Sequence, residues 1–148
     1  LRALPKKAKV ADLYAGCGTF TFAMAAARDK VHAGEGFAPA LAALKAAMPG
    51  KPVTAEKRDL AREPLSAREL DAFDAVVMDP PRVGAQAQAR MLARSSVRLA
   101  VSVSCSLASF VKDGGVLQDA GFRLERLPVL DQFLWSPHIE LPGVFRRA

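Results

Sequence analysis

The chain has 148 residues, 51% of them hydrophobic, and carries a net charge of +6. That length suits one domain spanning residues 1–148; its apolar runs are too short to cross a bilayer, and the N-terminus lacks the apolar stretch of a secretory leader. Two cysteines without a Cys-x-x-Cys pair exclude a disulfide framework or a four-thiolate metal site in this piece, and the positive balance favours a polyanionic partner that releases counterions on binding.

In chain order, the pattern predicts an apolar strand over 9–15 that breaks at Gly16, then an Ala-rich helix over 20–28. A strand over 31–34 ends at Glu35, and a helix over 39–48 is stopped by Pro49-Gly50. A weaker strand over 53–57 leads to Asp59. A strong one over 73–78 is stopped by Pro80-Pro81, and a helix over 85–95 follows. The fifth strand, 99–104, runs into Cys105 and a helix over 107–119. Residues 122–130 alternate like a half-buried strand, and 138–146 make the last. Strands and helices alternate until two strands close the chain. The expected fold is therefore α/β, a seven-stranded, mostly parallel, Rossmann-like sheet with a C-terminal antiparallel hairpin. This is the element order of class I methyltransferases, and ligands of such sheets bind beyond the C-terminal strand ends.

The run Asp12-Leu13-Tyr14-Ala15-Gly16-Cys17-Gly18-Thr19-Phe20 joins a strand, a Gly-x-Gly turn and a helix start. Glycines there let the backbone approach a ligand closely. A dinucleotide fingerprint calls for a third glycine at position 21, where Thr21 stands. That favours a cofactor without a pyrophosphate, such as S-adenosylmethionine. On this reading Asp12, Tyr14, Gly16 and Gly18 border the cofactor, with Asp79 at the fourth strand's end beside them. Glu35 accepts the ribose hydroxyls. Asp59 takes the adenine amino group or, equally, is a solvated residue of Glu56-Lys57-Arg58-Asp59. Cys17 reads as a small filler within the turn.

Asp79-Pro80-Pro81-Arg82 closes the fourth strand. Two prolines make a rigid ledge with few donors, and Asp79 can hydrogen-bond the edge of a flat heterocycle. Arg82 suits a phosphate or a base face, where an amino-methylating enzyme would carry an aromatic ring. Cys105 sits at a strand's C-terminal end, where a thiol can be a nucleophile. Taken alone it would read as an inert buried cysteine; Glu140, a carboxylate able to move a proton, changes that. Trp135 can stack on a base turned out of its helix, whereas Phe133 reads equally as core. His138 reads as a hydrogen-bonding partner at the substrate side rather than an acid or base.

Taken together, the motif over 12–20, Asp79-Pro80-Pro81-Arg82-Val83-Gly84-Ala85, Val103-Ser104-Cys105, Asp131-Gln132-Phe133 and His138-Ile139-Glu140 resemble the catalytic domain of the RNA uracil-5-methyltransferases. The resemblance runs the length of the chain. It implies Cys105 as nucleophile, Glu140 as general base, Asp79 as a substrate-positioning group, and Gly16, Gly18 and Glu35 as cofactor contacts. The implied reaction moves a methyl group from S-adenosylmethionine to C5 of a uridine in tRNA or rRNA, through a covalent bond from Cys105 to C6. The implied protein is a cytoplasmic monomer with no membrane partner and no metal in this piece. In the family an RNA-binding barrel domain and a segment with a cofactor-contacting Gln come first, and neither is expected in this chain.

The chain departs from the family at Ser106-Leu107, where Asn-Pro is usual, and at Phe133-Leu134-Trp135-Ser136, where Phe-Pro-Gln-Thr is usual. Ala43-Leu44-Lys45-Ala46-Ala47-Met48 replaces an Asn-rich helix. These bear on substrate choice. The nearest rival, an RNA cytosine-5-methyltransferase, would carry its attacking cysteine in the fourth-strand motif, where Pro81 and Arg82 stand. A non-catalytic domain binding S-adenosylmethionine or RNA is the other alternative; the presence of both Cys105 and Glu140 argues against it.

Overall fold

The computed structural model describes residues 7–27, 30–131, 135 and 139–148. In order come β1 (Lys9–Leu13), α1 (Thr19–Ala25), β2 (Lys30–Glu35), α2 (Ala38–Ala47), β3 (Val53–Lys57), α3 (Ala67–Leu70) and β4 (Ala75–Met78). Then follow α4 (Gln86–Arg94), β5 (Leu99–Ser104), α5 (Leu107–Asp119), β6 (Arg123–Arg126) and β7 (Leu141–Arg146). Among the described residues the strands form one seven-stranded sheet in the order β3-β2-β1-β4-β5-β7-β6. β1 is parallel to β2 and β4, β2 to β3, and β4 to β5, whereas β7 runs antiparallel to β5 and β6. This is the expected architecture. The strand order reverses between β1 and β4, so the loops leaving their C-terminal ends part and open a crevice.

Alternation along the central strands builds a core on each face. Val10, Ala75 and Val77 pack with Met24 of α1 and Leu44 of α2. Ala11, Leu13, Val76 and Met78 pack with Leu70, Leu92, Phe110 and Leu117 on the other side. A strand buried on both faces needs apolar residues at successive positions, which is why these strands read as continuous runs. Asp12 breaks that run on the α1 side and is fully buried. The C-terminus is fastened by Arg147, which donates to the carbonyls of Val97, Ala93 and Ser95 and lies 4.5 Å above the Phe122 ring.

Element ends differ from the sequence expectation for local reasons. β1 stops at Leu13 because Tyr14 takes a positive φ of 62°. The strand expected over 122–130 ends at Arg126, after an irregularity between Leu124 and Arg126. Pro128 follows, and a proline cannot donate to a ladder. The chain rejoins at Leu130, which bridges Glu140. The last strand begins at Leu141 rather than 138. Helix α3 was not expected. Its four residues start at a capping box, Ser66 with Glu69, and Arg58 grips Glu69 at 2.7 Å.

Candidate active site

The turn after β1 is built around a buried acid. Asp12 accepts a hydrogen bond from the Thr21 hydroxyl in the first turn of α1, and its other oxygen, Oδ1, has no partner. Burial, opposed by Thr21 and reinforced by the charges of Asp79 and Glu35, pushes Asp12 up to about 7. Thr21 thus fills a role that its reading as a missing glycine did not foresee. Gly18 stands at φ 99°, and a Cβ there would meet the Phe22 ring at 2.5 Å, so a side chain at this position would strain the backbone and displace that ring. Cys17 is exposed, which corrects the expectation of a filler: the turn directs it outward.

Glu35 ends β2 and ties the crevice together. Its carboxylate accepts the Gly16 amide at 2.7 Å and the Phe37 amide at 2.6 Å. A carboxylate has about four acceptor positions, so both oxygens remain able to receive hydroxyls. Beside it lies a cavity of about 370 Å³ lined by Tyr14, Glu35, Gly36, Arg58, Asp59 and Asp79, among others. Burial and the charges of Asp113 and Asp59 push the Tyr14 phenol up to about 12, so it keeps its proton. Asp59 accepts the amides of Ala61 and Arg62 yet still faces the cavity. Arg58 is spent on Glu69, Glu56 and the Glu63 and Pro64 carbonyls. The described wall is therefore acidic, suited to a cation bearing hydroxyls rather than to phosphate. A larger cavity of about 510 Å³, lined by Lys9, Lys30, Lys51 and Phe73 among others, lies at the N-terminal strand ends; none of the candidate residues lines it.

At the other side of the crevice, Ser104 of β5 pairs with Leu141 of β7. The next residues outward, Cys105 and Glu140, leave the ladder side by side, both half-buried. Leu130 and Glu140 exchange backbone hydrogen bonds of 2.9 Å, which fixes the backbone of Glu140. Asp79 follows β4, the parallel neighbour of β5. It is open to solvent along part of its surface, yet enclosure of its carboxyl and the charge of Glu140 push it up to about 6. Asp79 lines the 370 Å³ cavity and also faces the charge of Glu140, so it joins the two sides of the crevice.

Cys105 directly precedes the N-cap of α5. Ser106 caps that helix through the Ser109 amide, and Ser104 donates to the Ser106 carbonyl at 3.0 Å. These serines hold the turn where the resembling family has Asn-Pro. Ser106-x-x-Ser109 was legible as a cap. Arg82 is exposed and makes no hydrogen bond or ion pair among the described residues. Trp135 is fully exposed with φ 65° and is not brought against the other site residues. His138 and Phe133 lie outside the described residues.

No family model matches the chain. Over 143 residues it is 54% identical to a Caulobacter vibrioides protein named an uncharacterized RNA methyltransferase, aligning 94% of this chain with 34% of that one. It is 38% identical over 138 residues to the 23S rRNA (uracil(1939)-C(5))-methyltransferase RlmD of Chromohalobacter salexigens, covering 89% of this chain and 28% of that one. The chain is a homologue of the RNA methyltransferases. The Pyrococcus abyssi tRNA (uracil-54, C5)-methyltransferase, solved in complex with S-adenosyl-L-homocysteine, superposes with a TM-score of 0.78 at 26% identity, over 96% of this chain and 34% of that one. The seven-stranded sheet is thus that of the Rossmann-like methyltransferases, and the chain spans about a third of the length of these relatives. No helix among the described residues is long and apolar enough to cross a membrane.

Proposed function

We propose that this chain is the catalytic domain of an S-adenosylmethionine-dependent methyltransferase acting on C5 of a uridine in RNA. The observation that carries the reading is the placement of Cys105 and Glu140 at adjoining ends of β5 and β7, with Asp79 between them and the acidic cavity.

That cavity fits the cofactor by its chemistry. Glu35 would receive the ribose hydroxyls, Asp59 and Tyr14 would border the adenosine, and the Asp79 carboxylate at the cavity's edge would favour a cationic group. Bound S-adenosylmethionine would supply an electrophilic methyl group on a positively charged sulfur. The residues of the chain do the rest. Uracil C5 is a poor nucleophile until a thiolate adds at C6. Cys105 forms that bond, and the ring's electrons move to C5 and its carbonyl. Asp79 holds the ring edge, and Arg82 takes an adjacent phosphate or base face. Once C5 carries the methyl group, Glu140 removes the C5 proton, the double bond re-forms and the Cys105 sulfur leaves. The rRNA and tRNA relatives named above both act on uracil C5, and the positive charge of the chain agrees with an RNA partner.

The test is transfer of labelled methyl to RNA followed by digestion to nucleosides. Label in 5-methyluridine, lost with Cys105→Ala, is the expected result. Label in 5-methylcytidine, or unchanged transfer by Cys105→Ala, would refute the reading.

A further inference from the structure

Asp113 lies on α5, beyond the helix start that follows Cys105, and is only 3% exposed. Its carboxylate accepts the Ala85 amide at 2.6 Å, at the N-cap of α4. The residue before, Gly84, has φ 87°. A Cβ at Gly84 would lie 2.7 Å from Asp113 Oδ2 and 2.9 Å from the Ser109 Cβ. The loop over 79–85, which carries Asp79 and Arg82, is therefore seated on the face of α5 that presents Ser109 and Asp113. Ser109 in turn bonds the Ser106 carbonyl at 3.1 Å, one residue from Cys105. On the cavity side, the phenol of Tyr14 feels the same carboxylate.

A buried carboxylate is a poor choice for stability alone, because burial disfavours its charged form. Asp113 has its own value raised by that burial. What it provides is a fixed, directional bond between two elements that each deliver a reacting or holding group. We propose that Asp113 is a positioning residue that locks the 79–85 loop against the Cys105 helix, setting where the uracil lies relative to the thiol. This rests on the methyl-transfer reading above.

The experiment compares wild type, Asp113→Ala, Asp113→Asn and Gly84→Ala in the full chain. Two quantities are read: the rate of covalent adduct formation with 5-fluorouracil-substituted RNA in the presence of S-adenosylmethionine, and the affinity for S-adenosylhomocysteine. Asp113→Ala is expected to slow adduct formation by about 10- to 100-fold, as a misplacement of about an ångström does, with cofactor affinity unchanged. Asp113→Asn keeps an acceptor for the Ala85 amide and restores most of the rate. Gly84→Ala disturbs the same contact from the loop side and should slow the adduct likewise, which keeps the proposal testable where Asp113→Ala fails to fold. Wild-type adduct rates in the folded Asp113→Ala and Gly84→Ala proteins, with only thermal stability lowered, would overturn the proposal and leave the methyl-transfer reading standing. A wild type that forms no adduct would remove that reading and the proposal with it.

Discussion

Around the turn from β1 to α1, Thr21 holds Asp12, and Glu35 holds the amides of Gly16 and Phe37. Between β6 and β7, by contrast, the described backbone is joined by one bridge, Leu130 to Glu140, and Trp135 stands wholly in solvent. We propose the first region as the cofactor wall, its acceptors already held in place, and the second as part of the substrate side. A small ligand of fixed shape gains affinity from a preorganised wall. A large RNA brings phosphate contacts of its own, and those set its register.

The contrast can be broken first at Glu35. Glu35→Ala removes the acceptor that joins Gly16 to Phe37 as well as the proposed ribose contact. Cofactor affinity by calorimetry should fall about 10- to 100-fold, since hydrogen bonds to a charged group contribute about 1.5–3 kcal/mol. Unchanged affinity would mean that the wall is not the binding surface.

Thr21→Val probes the same wall from beneath. It removes the hydroxyl that holds the buried Asp12 carboxyl and leaves it only the backbone amide of residue 21, and thermal unfolding should show a loss of about 1–3 kcal/mol. A neutral result would show that water or backbone replaces the hydroxyl.

The acidity of the wall gives it a pH signature. In the folded protein Asp12 is raised from 3.8 to about 7 and Asp79 from 3.8 to about 6. The folded state therefore binds these protons more tightly than the unfolded chain. Their contribution to the stability of the unliganded protein is most favourable at low pH and declines as pH rises through that window. A cation in the cavity offsets the decline, so S-adenosylmethionine should bind more tightly at about pH 8 than at about pH 5. Titration calorimetry at the two values checks the sign, and the same trend should vanish in Asp12→Asn with Asp79→Asn.

The smallest effect is expected at the exposed Trp135. Trp135→Ala should change stability by no more than about 0.5 kcal/mol, while RNA binding weakens by about 1 kcal/mol, the loss of one stacked base. Filter binding of the RNA decides it; equal binding would return Trp135 to the bare surface.

The same contrast governs what could be read from sequence. The parallel strands announced themselves because burial on both faces demands runs such as Ala75-Val76-Val77-Met78. The residues proposed to carry the chemistry drew notice because they stand at strand ends, which parallel topology gathers. Pro128 explains why the strand expected over 122–130 stops early, and the signal was present in the chain. Helix α3 carried a readable capping box at Ser66 and Glu69, but four residues show no period. Thr21 and Asp113 were not legible in their roles: one looked like an absent glycine, and the other stands between Lys112 and Gly114 with no flanking signal that it is buried. Their partners, Asp12 and Ala85, are defined only by how α1 and α5 pack. The exposure of Cys17 likewise depends on the turn around it rather than on its residue type.

The measurement that bears most directly on the account uses ordinary RNA, S-adenosylmethionine and the pair Glu140→Gln and Cys105→Ala, with products resolved under denaturing conditions and weighed by mass spectrometry. Glu140→Gln should accumulate a protein–RNA adduct carrying the added methyl group, because the proton that must leave C5 has lost its acceptor. Adding Cys105→Ala to that variant should abolish the adduct. Clean turnover by Glu140→Gln, or an adduct that survives the loss of Cys105, would contradict the account.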